Sequence, residues 1–128
     1  MYKMAQVKIT IKNLPQIRAA FSKSPRVMTK NLRKAIQAAL ITVQRQSITN
    51  APRRTGFLKA SHQTRMLSNL SGYVQPTADY AIFVHEGTRF MRARPFLRQA
   101  VAEKEQDIDR LFANAVQDTL DEIARSAS

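Results

Sequence analysis

Cysteine is absent from this 128-residue chain, which removes disulfides, thiol catalysis and Cys-ligated zinc in one step. The absence fits a reducing compartment. Glycine is scarce: three occur, none in a Gly-x-Gly pattern, so neither a dinucleotide fingerprint nor a P-loop is present. Carboxylates number only nine, and seven of them follow Val101 at spacings typical of a wetted helix face. The paired-carboxylate chemistry of a glycosidase is therefore unsupported. The two histidines add little. Ser61 precedes His62, but neighbours in sequence rarely meet as nucleophile and base. His85 and Glu86, adjacent on an expected strand, would point to opposite faces instead of converging on a metal or a proton. The expected arrangement is a loop-end histidine beside a glutamate that pairs with a nearby Arg. No segment approaches the roughly 20 apolar residues of a membrane span, and the first residues form no long apolar run. The expectation is a soluble, intracellularly made protein with no enzymatic activity, no cofactor, no metal and no membrane.

Positive charge is what the chain has in excess. The formal net charge is +12. Residues 1 to 100 carry 18 Lys and Arg against Asp79 and Glu86 alone, a balance of +16, whereas the remainder carries −4. This asymmetry exceeds what solubility asks and points to an anionic partner, nucleic acid or an acidic protein surface. A hydrophobic fraction of 44% and this length suit one domain with its own core.

Residues 1–24 are expected to hold a strand and a short helix. Val7, Ile9 and Ile11 alternate with Lys8, Thr10 and Lys12, as on a half-buried or edge strand. Pro15 opens a helical piece carrying Ile17, Ala20 and Phe21. A helix over 25–49 follows, with Ser24 as N-cap and Pro25 at the first helical position. Its core stripe is Leu32, Ile36, Ala39, Leu40 and Val43, with Lys30, Arg33, Lys34 and Arg45 on other faces. Asn50-Ala51-Pro52 ends it. Residues 50–94 are expected to form short strands and basic loops. The strands lie at about Ser61 to Leu67, Gly72 to Pro76 and Tyr80 to His85, the first two joined as a hairpin through Ser68-Asn69-Leu70-Ser71. Over 95–125, Leu97, Val101, Ile108, Leu111, Phe112, Ala115, Val116, Leu120 and Ile123 recur at helical spacing, with Lys104 on the apolar stripe marking a bend or an exposed section. The fold class is α+β: a small antiparallel sheet of about four strands packed against two long helices.

Candidate binding residues are Arg53, Arg54, Arg89, Arg92 and Arg94, in two loops interleaved with Phe57, Phe90 and Met91. Loop arginines pair bidentately with phosphates and stack on aromatics, and they suit acidic protein surfaces equally well. Gly87 is expected to supply a backbone angle costly to other residues, Thr88 to bond locally, and Phe96 and Leu97 to enter the core.

The ordered set Pro52-x-x-Thr55-Gly56-x-Leu58, Tyr80-Ala81-x-Phe83-Val84-x-Glu86-Gly87-Thr88 and Pro95-Phe96-Leu97 with Ala100 resembles the tail-completion proteins of long-tailed phages. These form a gene-product-ten-like family similar to the minor tail protein Z group. The resemblance covers roughly residues 25 to 115. His85 and the strongly basic stretch Arg89 to Arg94 depart from the family pattern. The resemblance implies an α+β virion protein assembled in the host cytoplasm, a ring of commonly six subunits at the tail neck. It also implies neighbouring tail-terminator and head-completion proteins, and genomic DNA passing through the channel. The alternative is a non-specific nucleic-acid-binding protein that uses its basic loops.

Overall fold

The computed structural model describes residues 14–52 and 56–127. Two helices, α1 (Leu14–Lys23) and α2 (Pro25–Asn50), are followed by a short α3 (Gly56–Ala60). A hairpin of β1 (His62–Ser68) and β2 (Ser71–Pro76) leads to α4 (Ala81–Glu86), α5 (Phe96–Glu103) and α6 (Glu105–Ala127).

The spine is α2. Pro25 occupies its start as expected, but Ser24 makes no side-chain cap. Instead the Ser24 N–H donates to Ala20 O at 3.0 Å and its carbonyl accepts from Met28 at 3.1 Å, so α1 runs almost directly into α2. Met28, Leu32, Ala35, Ile36, Ala39, Leu40 and Val43 form one continuous buried stripe. The helix stops where Ala51, held extended at φ −66° and ψ 148°, precedes Pro52. Against this stripe pack α6, α5, the hairpin and α1.

The hairpin is antiparallel, pairing His62 with Pro76, Thr64 with Val74 and Ser68 with Ser71, with an irregularity between Met66 and Ser68. Ser68 Oγ organises the turn, accepting from Leu70 N–H at 3.2 Å and lying 2.8 Å from Ser71 Oγ. Helix α2 crosses directly over Gly72, where an added Cβ would lie 2.6 Å from Leu40 Cδ1 and 2.8 Å from Arg65 O. Nothing larger fits between helix and sheet there.

Among the described residues the sheet has two strands, not about four. The strand expected over Gln6 to Lys12 lies outside them. The strand expected over Tyr80 to His85 is helix α4 instead. There Ala81 and His85 are buried while Phe83 is exposed. That is the i, i+4 pattern of a helix, not the alternation of a strand. The C-terminal helix is also interrupted, at Lys104, whose φ −105° and ψ 11° separate α5 from α6. A charged residue on the apolar stripe is where the break falls.

The long helices also share a polar seam. Asn31 Nδ2 donates to Thr119 Oγ1 at 3.0 Å and to Glu122 Oε1 at 3.3 Å, and Lys30 pairs with Glu122 at 3.0 Å. Lys30 and Asn31 hold the Glu122 carboxyl below the usual carboxylate range.

Candidate partner-binding loop

The segment from Gly87 to Pro95 joins α4 to α5 and lies largely on the surface. Gly87 turns the chain out of α4 at φ +79° and ψ 172°, a region that essentially only glycine enters. A Cβ there would also meet Ala93 N at 2.7 Å and Met91 O at 2.9 Å. Thr88 and Met91 then form a tight bridge, with N–H···O bonds of 2.9 and 3.2 Å, and Thr88 Oγ1 accepts from Phe90 N–H at 3.2 Å. The returning segment is tied to α4 by Arg94 N–H donating to Val84 O at 2.9 Å. At the tip Phe90 is 88% exposed, with the Arg89 guanidinium 5.0 Å from its ring centroid. Arg92 and Arg94 are exposed beside it.

Beneath the tip lies a buried base. Phe96 and Leu97 are fully buried at the start of α5, after Pro95 at φ −75°. The His85 ring meets Phe96 edge-on at 5.1 Å, and the His62 ring lies 5.7 Å away on another side. His85 Nδ1–H donates to Glu86 Oε1 at 3.1 Å, while its Nε2 accepts from Arg98 N–H at 3.4 Å. Arg98 completes the ring of contacts by pairing with Glu86 at 2.9 Å. His85 and Glu86 therefore do converge, contrary to the expectation for a strand, because α4 is helical. The expected Arg partner of Glu86 exists and comes from α5. His85 itself is 1% exposed and is a core residue, not a loop-end one.

His62 is held in a similar way. Its Nδ1–H donates to Leu58 O at 3.1 Å, and Ser47 Oγ donates to its Nε2 at 2.8 Å. Serine, imidazole and an orienting acceptor have the hydrogen-bond order of a nucleophile and its base. Ser47 is fully buried, however, so no substrate can reach it and the pair serves packing. Burial lowers the pKa of both histidines below 6.5, and each is neutral with its proton on Nδ1.

The two motif segments thus meet through Phe96. Leu58 is buried on α3 and anchors His62, Ala81 is buried on α4, and Val84 and Tyr80 are half-buried against the core. Tyr80 also lies 6.3 Å ring to ring from the exposed Phe57. Pro52 follows α2, half-buried, and Gly56 opens α3 on the surface. Thr88 stands at the loop's bridge. Arg53, Arg54 and Thr55 lie outside the described residues, so only Arg89, Arg92 and Arg94 are placed on the candidate surface. Sequence reasoning missed the pairing of both histidines with one phenylalanine, because it depends on two separate elements, β1 and α4, closing on α5. Among the described residues no three His, Asp or Glu side chains gather as a metal site, and no helix is long and apolar enough to cross a membrane.

Comparison with known proteins finds no family model that matches this sequence, no matching curated protein and no matching solved structure.

Proposed function

We propose that this chain is a non-enzymatic virion subunit of a long-tailed phage or prophage, acting in tail completion or head–tail joining at the neck. In this reading it closes into a ring, six subunits in the virion, and meets tail-terminator and head-completion proteins on either side. The observation that carries the reading is the tip of the 87–95 loop. Arg89, Phe90, Met91 and Arg92 stand exposed on a hydrogen-bonded base. Arg, Phe and Met are the residue types enriched in the cores of protein interfaces, and an ordered loop loses little entropy on docking. The family-type residues around it mostly serve the base, leaving the departure from the family pattern, Arg89 to Arg94, to meet the partner.

The test is native mass measurement of the protein with its neck neighbours, together with electron microscopy of particles assembled without it. The expected result is a closed ring, and heads and tails that fail to join when the subunit is missing. An R89Q/R92Q/R94Q variant is expected to form the same fold and to lose the neighbour. A strictly monomeric protein whose loss leaves joining intact would overturn the reading. Loss of the neighbour only on changes remote from the loop would overturn the loop's part in it.

A further inference from the structure

A second basic surface lies away from the loop, on the N-terminal half of α2. Arg26 and Lys30 are four residues apart, and Arg33 and Lys34 follow Lys30 by three and four, so the four share one side of the helix. All four are exposed. With Asn69, from the turn between β1 and β2, they line an open groove of about 470 Å³. Among the described residues only Lys30 of the four has a carboxylate partner, Glu122.

The pattern is poor for the helix itself. Arg26/Lys30 and Lys30/Lys34 are like-charged i, i+4 pairs, where alternating signs would stabilise. The cations also crowd the N-terminal half, where they add to the positive end of the helix dipole instead of offsetting it, and the first turn has no acid. A merely solvated face would have neither feature. The groove differs from the loop in one further respect: every residue lining it is polar or charged. It has no apolar or aromatic anchor of the sort that a protein interface buries at its centre. A row of four cations along just over two helical turns, roughly 12 Å, flanked by neutral donors, instead matches a chain of phosphates.

We infer that the α2 groove binds the phosphodiester backbone of nucleic acid without regard to base sequence. Arg26, Arg33 and Lys34 supply the charge, and Thr29, Gln37 and Asn69 are within the groove to bond phosphate oxygens. Lys30 stays engaged with Glu122 and orients the row. Arg26 lies in the first turn of α2, but α1 runs directly into that end, so no free helix tip is offered to a base-pair groove, and the contact positions the strand and does not read it. The two surfaces then divide the two anionic partners: the loop takes protein and the helix takes nucleic acid. The assignment holds for a single subunit and does not depend on ring closure.

The test measures binding of a labelled random-sequence DNA duplex by fluorescence anisotropy across a salt series. Wild type is compared with R26Q/R33Q/K34Q and with R89Q/R92Q/R94Q, and circular dichroism checks each fold. Loss of three phosphate contacts is expected to reduce the magnitude of the log K against log salt slope by about 2 to 3, with at least a tenfold loss of affinity at low salt. Two unrelated duplex sequences should lose equally, and the loop variant should retain most of its affinity. Should the triple variant misfold, R33Q alone is expected to reduce the slope by about 1. The inference is overturned if wild type does not bind DNA at low salt, or if the groove variant keeps the wild-type slope. It is equally overturned if polyglutamate binds the loop variant R89Q/R92Q/R94Q as tightly as DNA does. Native mass of the same samples reports ring formation separately, so failure of the ring and failure of the groove are distinguishable.

Discussion

The root and the tip of the 87–95 loop are only a few residues apart, yet they are built on opposite terms. At the root nearly every polar atom has a partner: His85 with Glu86 and the Arg98 backbone, Glu86 with Arg98, Arg94 N–H with Val84 O. Its apolar residues, Phe96 and Leu97, are fully buried. At the tip one bridge between Thr88 and Met91 sets the backbone, while Phe90 and three arginines face outward. The root therefore stores the stability of the region, and the tip stores its capacity to bind. A change at one should leave the other's property almost untouched.

The sharpest way to break this separation is Phe96→Ala. The ring is fully buried and touches both histidines, so its loss should cost about 3 to 5 kcal/mol, a large part of the stability of a domain this size. Chemical denaturation should show the fall directly, and retention of the wild-type midpoint would refute the role given to the root. Gly87→Ala should cost less, about 1 to 3 kcal/mol, because the backbone is held at φ +79° and ψ 172° with Ala93 against the new methyl. The same denaturation assay reads it, and a neutral result would mean that the exit from α4 relaxes freely.

Acid should act on the root as well. Burial lowers the pKa of His62 and His85 in the folded state, so the unfolded chain takes up protons first as pH falls. Their stabilising neutral state is fully present above about pH 6.5 and is lost as pH drops through the lower folded values. Denaturant midpoints should therefore fall between about pH 7.5 and about pH 5, and His85→Gln should shallow that fall. A flat profile for the wild type would show that the two rings are not held neutral by burial. The smallest effect on stability is expected for R89Q/R92Q/R94Q, within about 0.5 kcal/mol, since exposed loop cations contribute little to the fold. A thermal shift well beyond that would place the tip among the stabilising elements.

What could be read from the sequence divides along the same line. The α2 stripe and the hairpin were legible because helical period and turn composition are local signals. Gly87, Thr88, Phe96 and Leu97 were legible too, since each role follows from residue type at a chain reversal. Helix α4 was not. Ala81-Ile82-Phe83-Val84 has strand-like composition, and six residues are too few for a helical period to show, so packing against α5 decided it. The role of His85 was lost with it, because its partners come from α5. The groove on α2 was half visible: the cations stand in the sequence, but Asn69 joins them only once the hairpin folds back beside the helix.

The break at Lys104 has a mechanical consequence. Asn50, at the end of α2, holds α5 at both ends, donating to Phe96 O at 3.3 Å and to the Glu103 carboxylate at 2.7 Å. A pull on the loop is thus passed into α2 through α5, by its packing on the α2 stripe and by this amide. Load that continues past the break, across the Lys104 N–H to Ala100 O and Ile108 N–H to Lys104 O bonds, meets α2 again at the Asn31–Thr119–Glu122 seam. The interruption therefore leaves two separate anchorages on α2, the Asn50 amide before it and the polar seam after it, to share whatever load the tip receives.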